Sequence, residues 1–225
     1  MRSTPGVKIC GLTRAVDAEV AGRAGATFGG IVLAPGKRTV PVHDAATVLS
    51  GGSLAGVGVF VNESVEGVVE AARLASLQVV QLHGDESTAY IAQIRQLWDG
   101  KIWKALRPRG AGDFLEGLDR FGSHVDGLLL DGWSPDARGG TGARFPWEEL
   151  AAVRHTVPSD ISFIVAGGLT PANVSTAIRQ LQPDLVDVSS GVETSPGIKD
   201  PLAIERFIAA VREHINLPGA LSRDD

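Results

Sequence analysis

The sequence predicts an α/β fold built on one parallel sheet, and three observations predict it. Short β-branched runs alternate with amphipathic stretches of helical spacing along the whole chain. Most of the runs are too apolar to alternate, as strands covered on both faces are. Eight such runs occur in 225 residues, which is about 28 residues for each strand–helix unit. Uninterrupted βα alternation requires parallel strands with right-handed crossovers. Eight units of that length close into a single (β/α)8 TIM barrel, with an open doubly wound sheet as the alternative arrangement. No linker or low-complexity tract divides the chain, so residues 1–217 are expected to form one barrel domain, with 218–225 a frayed tail.

The elements follow in order. The first strand, 7–11 (V-K-I-C-G), carries Cys10, the only cysteine in the chain. By itself it reads more readily as a small buried side chain than as a working thiol. The second, 27–33, leads to Lys37 and Arg38. The third, 55–61, ends before Asn62, and a helix follows with Val65, Val68, Val69, Ala72 and Leu74 expected mostly on one apolar side. The fourth, 78–83, sets Gln81 and His83 two apart and therefore on one face. If that face points inward both reach the barrel mouth, although a lone histidine is more often a hydrogen-bonded structural group. The fifth, 101–106, contains Lys104 and precedes Arg107. The sixth, 126–131 (D-G-L-L-L-D), ends at Asp131, and a long connection at 132–145 with G-G-T-G at 139–142 has the length of a lid or substrate wall. The seventh, 161–167, runs into Gly167 and Gly168, with Thr170-Pro171 expected to open a helix. The eighth, 185–190, runs into Ser189, Ser190 and Gly191. Asp200-Pro201 then opens the last helix, whose apolar face is expected to hold Leu202, Ile204, Phe207, Ile208, Val211 and Ile215.

Composition narrows the function. One cysteine excludes an intramolecular disulfide framework and fits a reducing compartment. The N-terminus lacks the apolar core of a secretory signal, and no apolar run approaches the roughly 18 residues of a membrane span. The formal charge of −5 is scattered, with no basic stripe for nucleic acid. The expectation is a cytoplasmic protein, monomer or homodimer, with neither nucleic acid nor membrane as partner. No metal-ligand spacing is present and no G-x-G-x-x-G opens a helix after the first strand, so neither a metal nor a dinucleotide is expected.

In a barrel of this kind the site lies at the C-terminal ends of the strands, where Cys10, Arg38, Gln81, His83 and Asp131 gather. The loops at Gly167-Gly168 and Ser189-Ser190-Gly191 stand after strands seven and eight, the usual place of a phosphate site. Either loop alone reads as an ordinary turn; the two together point to a phosphorylated small-molecule substrate. Asp131, after three leucines, is a candidate general acid, because partial burial favours the neutral carboxyl; a helix-cap or loop aspartate is the alternative. Lys8 and Lys104 lie within strands, either as Schiff-base lysines or as salt-bridged inner lysines.

The combined pattern resembles the phosphoribosylanthranilate isomerase family of tryptophan biosynthesis. The matching segments are K-I-C-G-L-T-R (8–14), V-V-Q-L-H-G-D-E (79–86), L-L-D (129–131), G-G-T-G-x-x-F-x-W (139–147), A-G-G-L-x-P-x-N-V (166–174), D-V-S-S-G-V-E (187–193) and P-G-I-K-D (196–200). The resemblance implies one (β/α)8 domain, no cofactor, and an Amadori rearrangement of N-(5′-phosphoribosyl)anthranilate to the 1-deoxyribulose 5-phosphate product. It implies Asp131 as general acid, Cys10 as base, and Arg38 on the anthranilate side, opposite the phosphate, with Gln81 and His83. It implies Gly167, Gly168, Ser189, Ser190 and Gly191 at the phosphate. The chain departs from the family in reading G-K-R at 36–38 where S-P-R is usual, which leaves the geometry around Arg38 open and lets Lys37 share the carboxylate. It departs again at Pro146, where an acidic residue is common. Three rivals stand beside this reading: the related histidine-pathway isomerase, which pairs two aspartates where this chain has Cys10 and Asp131; a lysine-dependent phosphosugar aldolase; and a non-enzymatic phosphosugar-binding protein.

Overall fold

The sheet closes on itself. A computed structural model describes residues 4–132 and 147–213. Its parallel strands are β1 (Gly6–Cys10), β2 (Phe28–Val32), β3 (Ala55–Phe60), β4 (Val79–Leu82), β5 (Lys101–Leu106), β6 (Gly127–Leu130), β7 (Ser162–Val165) and β8 (Leu185–Val188). Each pairs with its neighbours in sequence, and β8 returns to β1 with Leu185 opposite Gly6 and Val186 opposite Val7. That pairing removes both sheet edges and with them the open-sheet alternative. The helices α1 (Ala15–Ala24), α2 (Val42–Leu49), α3 (Val65–Leu74), α4 (Thr88–Leu97), α5 (Ala111–Phe121), α6 (Trp147–Val153), α7 (Val174–Leu181) and α8 (Pro201–Glu213) follow their strands. A small antiparallel hairpin, β9 (Glu193–Ser195) and β10 (Ile198–Lys199), lies between β8 and α8.

The period of two along each strand divides the core. Val57, Val79, Trp103, Ala105, Leu129, Ile164, Ala166 and Leu185 pack inside the barrel. Residues of the opposite parity, such as Ile9, Ile31, Leu82, Ile102 and Phe163, meet the helices in the outer layer. This parity carries Lys8 and Cys10 on β1, Gln81 on β4 and Asp187 on β8 inward. It sends Lys104 outward, where its ammonium meets Glu86 Oε2 at 2.9 Å.

Helix starts and faces differ from expectation at three points. Asp200 caps α8 as expected, its Oδ1 accepting the Leu202 N–H at 2.9 Å. Thr170-Pro171, however, does not open α7. Residues 171–173 form a turn and the helix begins at Val174. The Asn173 side chain closes this turn, accepting the Thr170 N–H at 2.7 Å and donating to the Gly168 carbonyl at 2.9 Å. Leu74 is 62% exposed and Leu202 58% exposed, against nearly complete burial of Val65, Val68, Ile204 and Phe207. At 100° per residue, Leu74 lies on the opposite side of α3 from Val65, and Leu202 is similarly displaced from Ile204. Ile215, the 133–146 part of the long connection with its G-G-T-G, Pro146 and the expected tail lie outside the described residues.

Candidate active site

The strand ladders stop before the chemistry begins. Cys10 is the last residue of β1, while His83, Asp131 and Ser189 stand just past the last paired residues of β4, β6 and β8. Leaving the ladder frees each side chain for the mouth while the strand below still fixes its root.

On the β4–β6 side, three groups form a chain. The Gln81 amide Nε2 donates to His83 Nδ1 at 2.9 Å, and His83 Nε2 lies 3.1 Å from Asp131 Oδ2. With Nδ1 accepting, the proton of a neutral imidazole sits on Nε2 and points at the carboxylate. Gln81 is 1% exposed, and the side chains of His83 and Asp131 are 18% and 30% exposed. The chain therefore runs from the barrel interior to solvent. Asp131 Oδ1, the other oxygen, borders the β7 loop: a β-carbon on Gly167 would lie 3.0 Å from it and 2.0 Å from the Gly132 nitrogen. With φ at +80°, Gly167 also holds a backbone conformation that favours glycine.

On the β8–β1–β2 side, Cys10 is buried next to a glycine. Burial pushes the thiol above its usual range, while the Lys8 ammonium pulls the other way and Asp187 adds to the rise. Gly11 takes φ +70°, and a β-carbon there would lie 2.6 Å from Arg38 Cδ and 3.1 Å from Ser189 Oγ. Arg38 and Ser189 thus flank the same glycine. The β2 loop folds over the C-terminal end of β1 at Gly11, which sets Arg38 on the same side of the mouth as Ser189.

The Arg38 guanidinium is not a free cation. It forks onto Glu193, with Nε 2.8 Å from Oε1 and Nη2 2.6 Å from Oε2. Lys199, 1% exposed, joins the same carboxylate at 2.7 Å and reaches the Ser189 carbonyl at 3.2 Å. Burial works to raise the Glu193 carboxyl, but Arg38 and Lys199 bring it down to about 2. The fork leaves the Nη1 edge of Arg38 for a second anion. The unusual G-K-R loop is well held: Thr39 Oγ1 donates to the Ala34 carbonyl at 2.7 Å and Val40 N–H to the Val32 carbonyl at 2.9 Å. Sequence reading passed over Glu193, Lys199 and Asn173 as site residues, although all three lie in segments that carried the resemblance.

The loops after β7 and β8 touch. A β-carbon on Gly191 would come within 1.9 Å of the Leu169 carbonyl oxygen, so only glycine permits the approach. Gly168 and Ser190 are exposed at this junction, and Gly168, at φ +70°, faces open space. Ser190 opens a short 3-10 turn that ends at Val192. Because α7 begins one turn later than expected, the two loops rather than that helix end border the mouth here. Among the described residues, no group of three His, Cys, Asp or Glu side chains has the arrangement of a metal site, and no helix is long and apolar enough to cross a membrane.

The family model described as N-(5'phosphoribosyl)anthranilate (PRA) isomerase matches residues 7–210. The chain belongs to the phosphoribosylanthranilate isomerase family. A relative from Magnetococcus marinus, named N-(5'-phosphoribosyl)anthranilate isomerase, is 41% identical over 92% of this chain and 94% of its own length. The phosphoribosyl anthranilate isomerase crystal structure from Thermotoga maritima superposes with a TM-score of 0.83 at 34% identity, covering 92% of this chain and 98% of that one. A further structure of the isomerase, in complex with reduced 1-(o-carboxyphenylamino)-1-deoxyribulose 5-phosphate, gives a TM-score of 0.80 at 32% identity, with 92% and 98% covered. The isomerase family thus accounts for the barrel and for nearly the whole chain.

Proposed function

We infer that this chain is the isomerase that converts N-(5′-phosphoribosyl)anthranilate into 1-(2-carboxyphenylamino)-1-deoxyribulose 5-phosphate in tryptophan biosynthesis. The observation that carries the reading, beside family membership, is the placement of a thiol and a hydrogen-bonded carboxyl at the ends of β1 and β6 of one barrel mouth.

The chemistry assigns the roles. Asp131, as general acid, protonates the ribose ring oxygen, and the ring C–O bond breaks to leave an iminium. Cys10, as thiolate, removes the C2 proton, and the C–H electrons move toward the iminium nitrogen to give an enolamine. Tautomerisation then yields the ketose. His83 holds Asp131 Oδ2, so Oδ1 is the oxygen that carries the transferred proton, and Gln81 orients His83. The substrate phosphate takes the cradle of Gly167, Gly168, Ser189, Ser190 and Gly191. The anthranilate carboxylate takes the Nη1 edge of Arg38, with Lys37 exposed beside it.

The aldolase alternative loses support on both lysines. Lys104 faces the helix layer, with its ammonium on Glu86 and over the Phe121 ring. Lys8 lies in a buried ion pair at 3.0 Å from Asp187, and although burial lowers its pKa, Asp187 and Cys10 raise it further, so it stays charged. A Schiff base needs the neutral amine. The deciding experiment is a coupled assay with freshly generated phosphoribosylanthranilate on the wild type and Cys10→Ala side by side. Turnover in the first and its near-complete loss in the second are expected; equal rates would remove Cys10 from the mechanism.

A further inference from the structure

Beneath the thiol lies a charged pair that the reaction scheme does not use. Lys8 and Cys10 share the inward face of β1, and both border one gap: a β-carbon on Gly30 would lie 2.9 Å from Lys8 Cε and 3.0 Å from Cys10 Sγ. Lys8 is fully buried, and its Nζ sits 3.0 Å from Asp187 Oδ2 across the seam between β1 and β8. The second oxygen, Asp187 Oδ1, is buried without a partner among the described residues.

A buried ion pair that leaves an oxygen unsatisfied stabilises a fold poorly, and apolar side chains of similar volume usually serve better. Most of the remaining interior follows that rule, with Val57, Val79, Leu129 and Ile164 filling it and Gln81 as an uncharged polar exception. The charge is kept where the thiol stands.

We propose that Lys8 and Asp187 act together as a positioning device for Cys10, with Lys8 the counter-charge of its thiolate and Asp187 a brake on that effect. This rests on the reading of Cys10 as the base. Proton abstraction needs a thiolate in a site whose burial opposes one, and a fixed cation on the same strand face offsets that opposition. The other charges facing the sulfur come from different elements. Lys199 on β10 favours the thiolate, and Arg38 in the β2 loop also feels it. Glu193 neutralises part of both through its hydrogen bonds to them. Lys8 is the cation that shares the thiol's own strand and gap.

The test uses the full chain without substrate. Cys10 is the sole cysteine, so ultraviolet thiolate absorbance reports it alone once the signal of the matching Cys10→Ala variant, which carries the Tyr90 phenolate, is subtracted. Lys8→Met should move the titration midpoint up by about one to two pH units, and Asp187→Asn should move it down. The opposite signs are the signature. If the pair were only structural, loosening the barrel would expose the thiol and lower the midpoint in both variants. Unmoved midpoints, or a fall in both, would overturn the proposal. Should a lone buried Asp187 keep Lys8→Met from folding, the double variant Lys8→Gln/Asp187→Asn replaces it. Its midpoint should lie above the wild type, because Lys8 outweighs Asp187, and an unchanged or lower value would count against the pair. The pH profile of kcat/KM should follow the same shifts. The titration does not depend on Cys10 being the base, so full turnover in Cys10→Ala would sink the catalytic reading while leaving the titration result intact.

Discussion

His83 Nε2 stands 3.1 Å from Asp131 Oδ2, and this contact divides the carboxyl into a held oxygen and the one proposed as the working oxygen, Oδ1. The held oxygen accepts from the imidazole, whose other nitrogen is fixed by Gln81 at 2.9 Å. The working oxygen borders the β7 loop. Asp131→Asn should keep the shape and cut kcat by about 10²–10⁴-fold, the span of general acid–base catalysis. His83→Ala should cut kcat less, by about tenfold to a hundredfold, with KM little changed. Steady-state kinetics separate the two, and a large rise in KM for His83→Ala would reassign it to substrate binding.

Burial raises the Cys10 thiol, and the proposed base is its deprotonated form. The sign follows: the active fraction grows as pH rises, so kcat/KM should climb with unit slope on the acid side of the thiol midpoint. Cys10→Ser should lose that limb together with most activity, since a hydroxyl titrates far higher. A flat profile across neutral pH in the wild type would contradict the assignment.

Arg38 is held by its fork onto Glu193, which leaves its Nη1 edge for the proposed anthranilate carboxylate. Arg38→Ala should raise KM by tenfold or more with a smaller effect on kcat. Lys37→Ala, on an exposed residue, should change KM by less than about threefold. An unchanged KM in Arg38→Ala would exclude it from the anthranilate side.

Glu193 is held down at about 2 in the folded chain despite its burial, against an ordinary value near 4.3. A depressed carboxyl stabilises the fold fully above its unfolded pKa and loses that contribution as pH falls from about 4.3 towards 2. Urea unfolding at pH 7 should therefore find Glu193→Gln clearly less stable than the wild type, and the gap should narrow by pH 3. A gap independent of pH would show that the pairing with Arg38 and Lys199 carries no linked proton.

Gly191→Ala would drive a β-carbon to 1.9 Å from the Leu169 carbonyl. The loops after β7 and β8 must then part, and inhibition by inorganic phosphate should weaken at least tenfold while the far-ultraviolet circular dichroism stays unchanged. Retained inhibition would place the phosphate elsewhere.

The count of strand–helix units, the parallel sheet and the residues at the strand ends were legible in the sequence. They depend on local periodicity, and a backbone of period two or 3.6 writes its inward face into neighbouring residues. The errors at Leu74, Leu202 and Thr170-Pro171 also have local causes. A run rich in apolar residues hides a half-turn displacement, and a capping side chain three positions on, Asn173, moved the start of α7.

Sequence by itself thus determined the barrel, the family pattern and the candidates Cys10 and Asp131. Only the tertiary structure decided which charges meet. Arg38 finds Glu193 across 155 positions, Lys8 finds Asp187 across 179, and His83 finds Asp131 across 48. The physical reason is closure: bringing β8 back to β1 sets side chains from opposite ends of the chain against one another. No local pattern encodes those distances, yet they fix the charge around the thiol and the orientation of the acid.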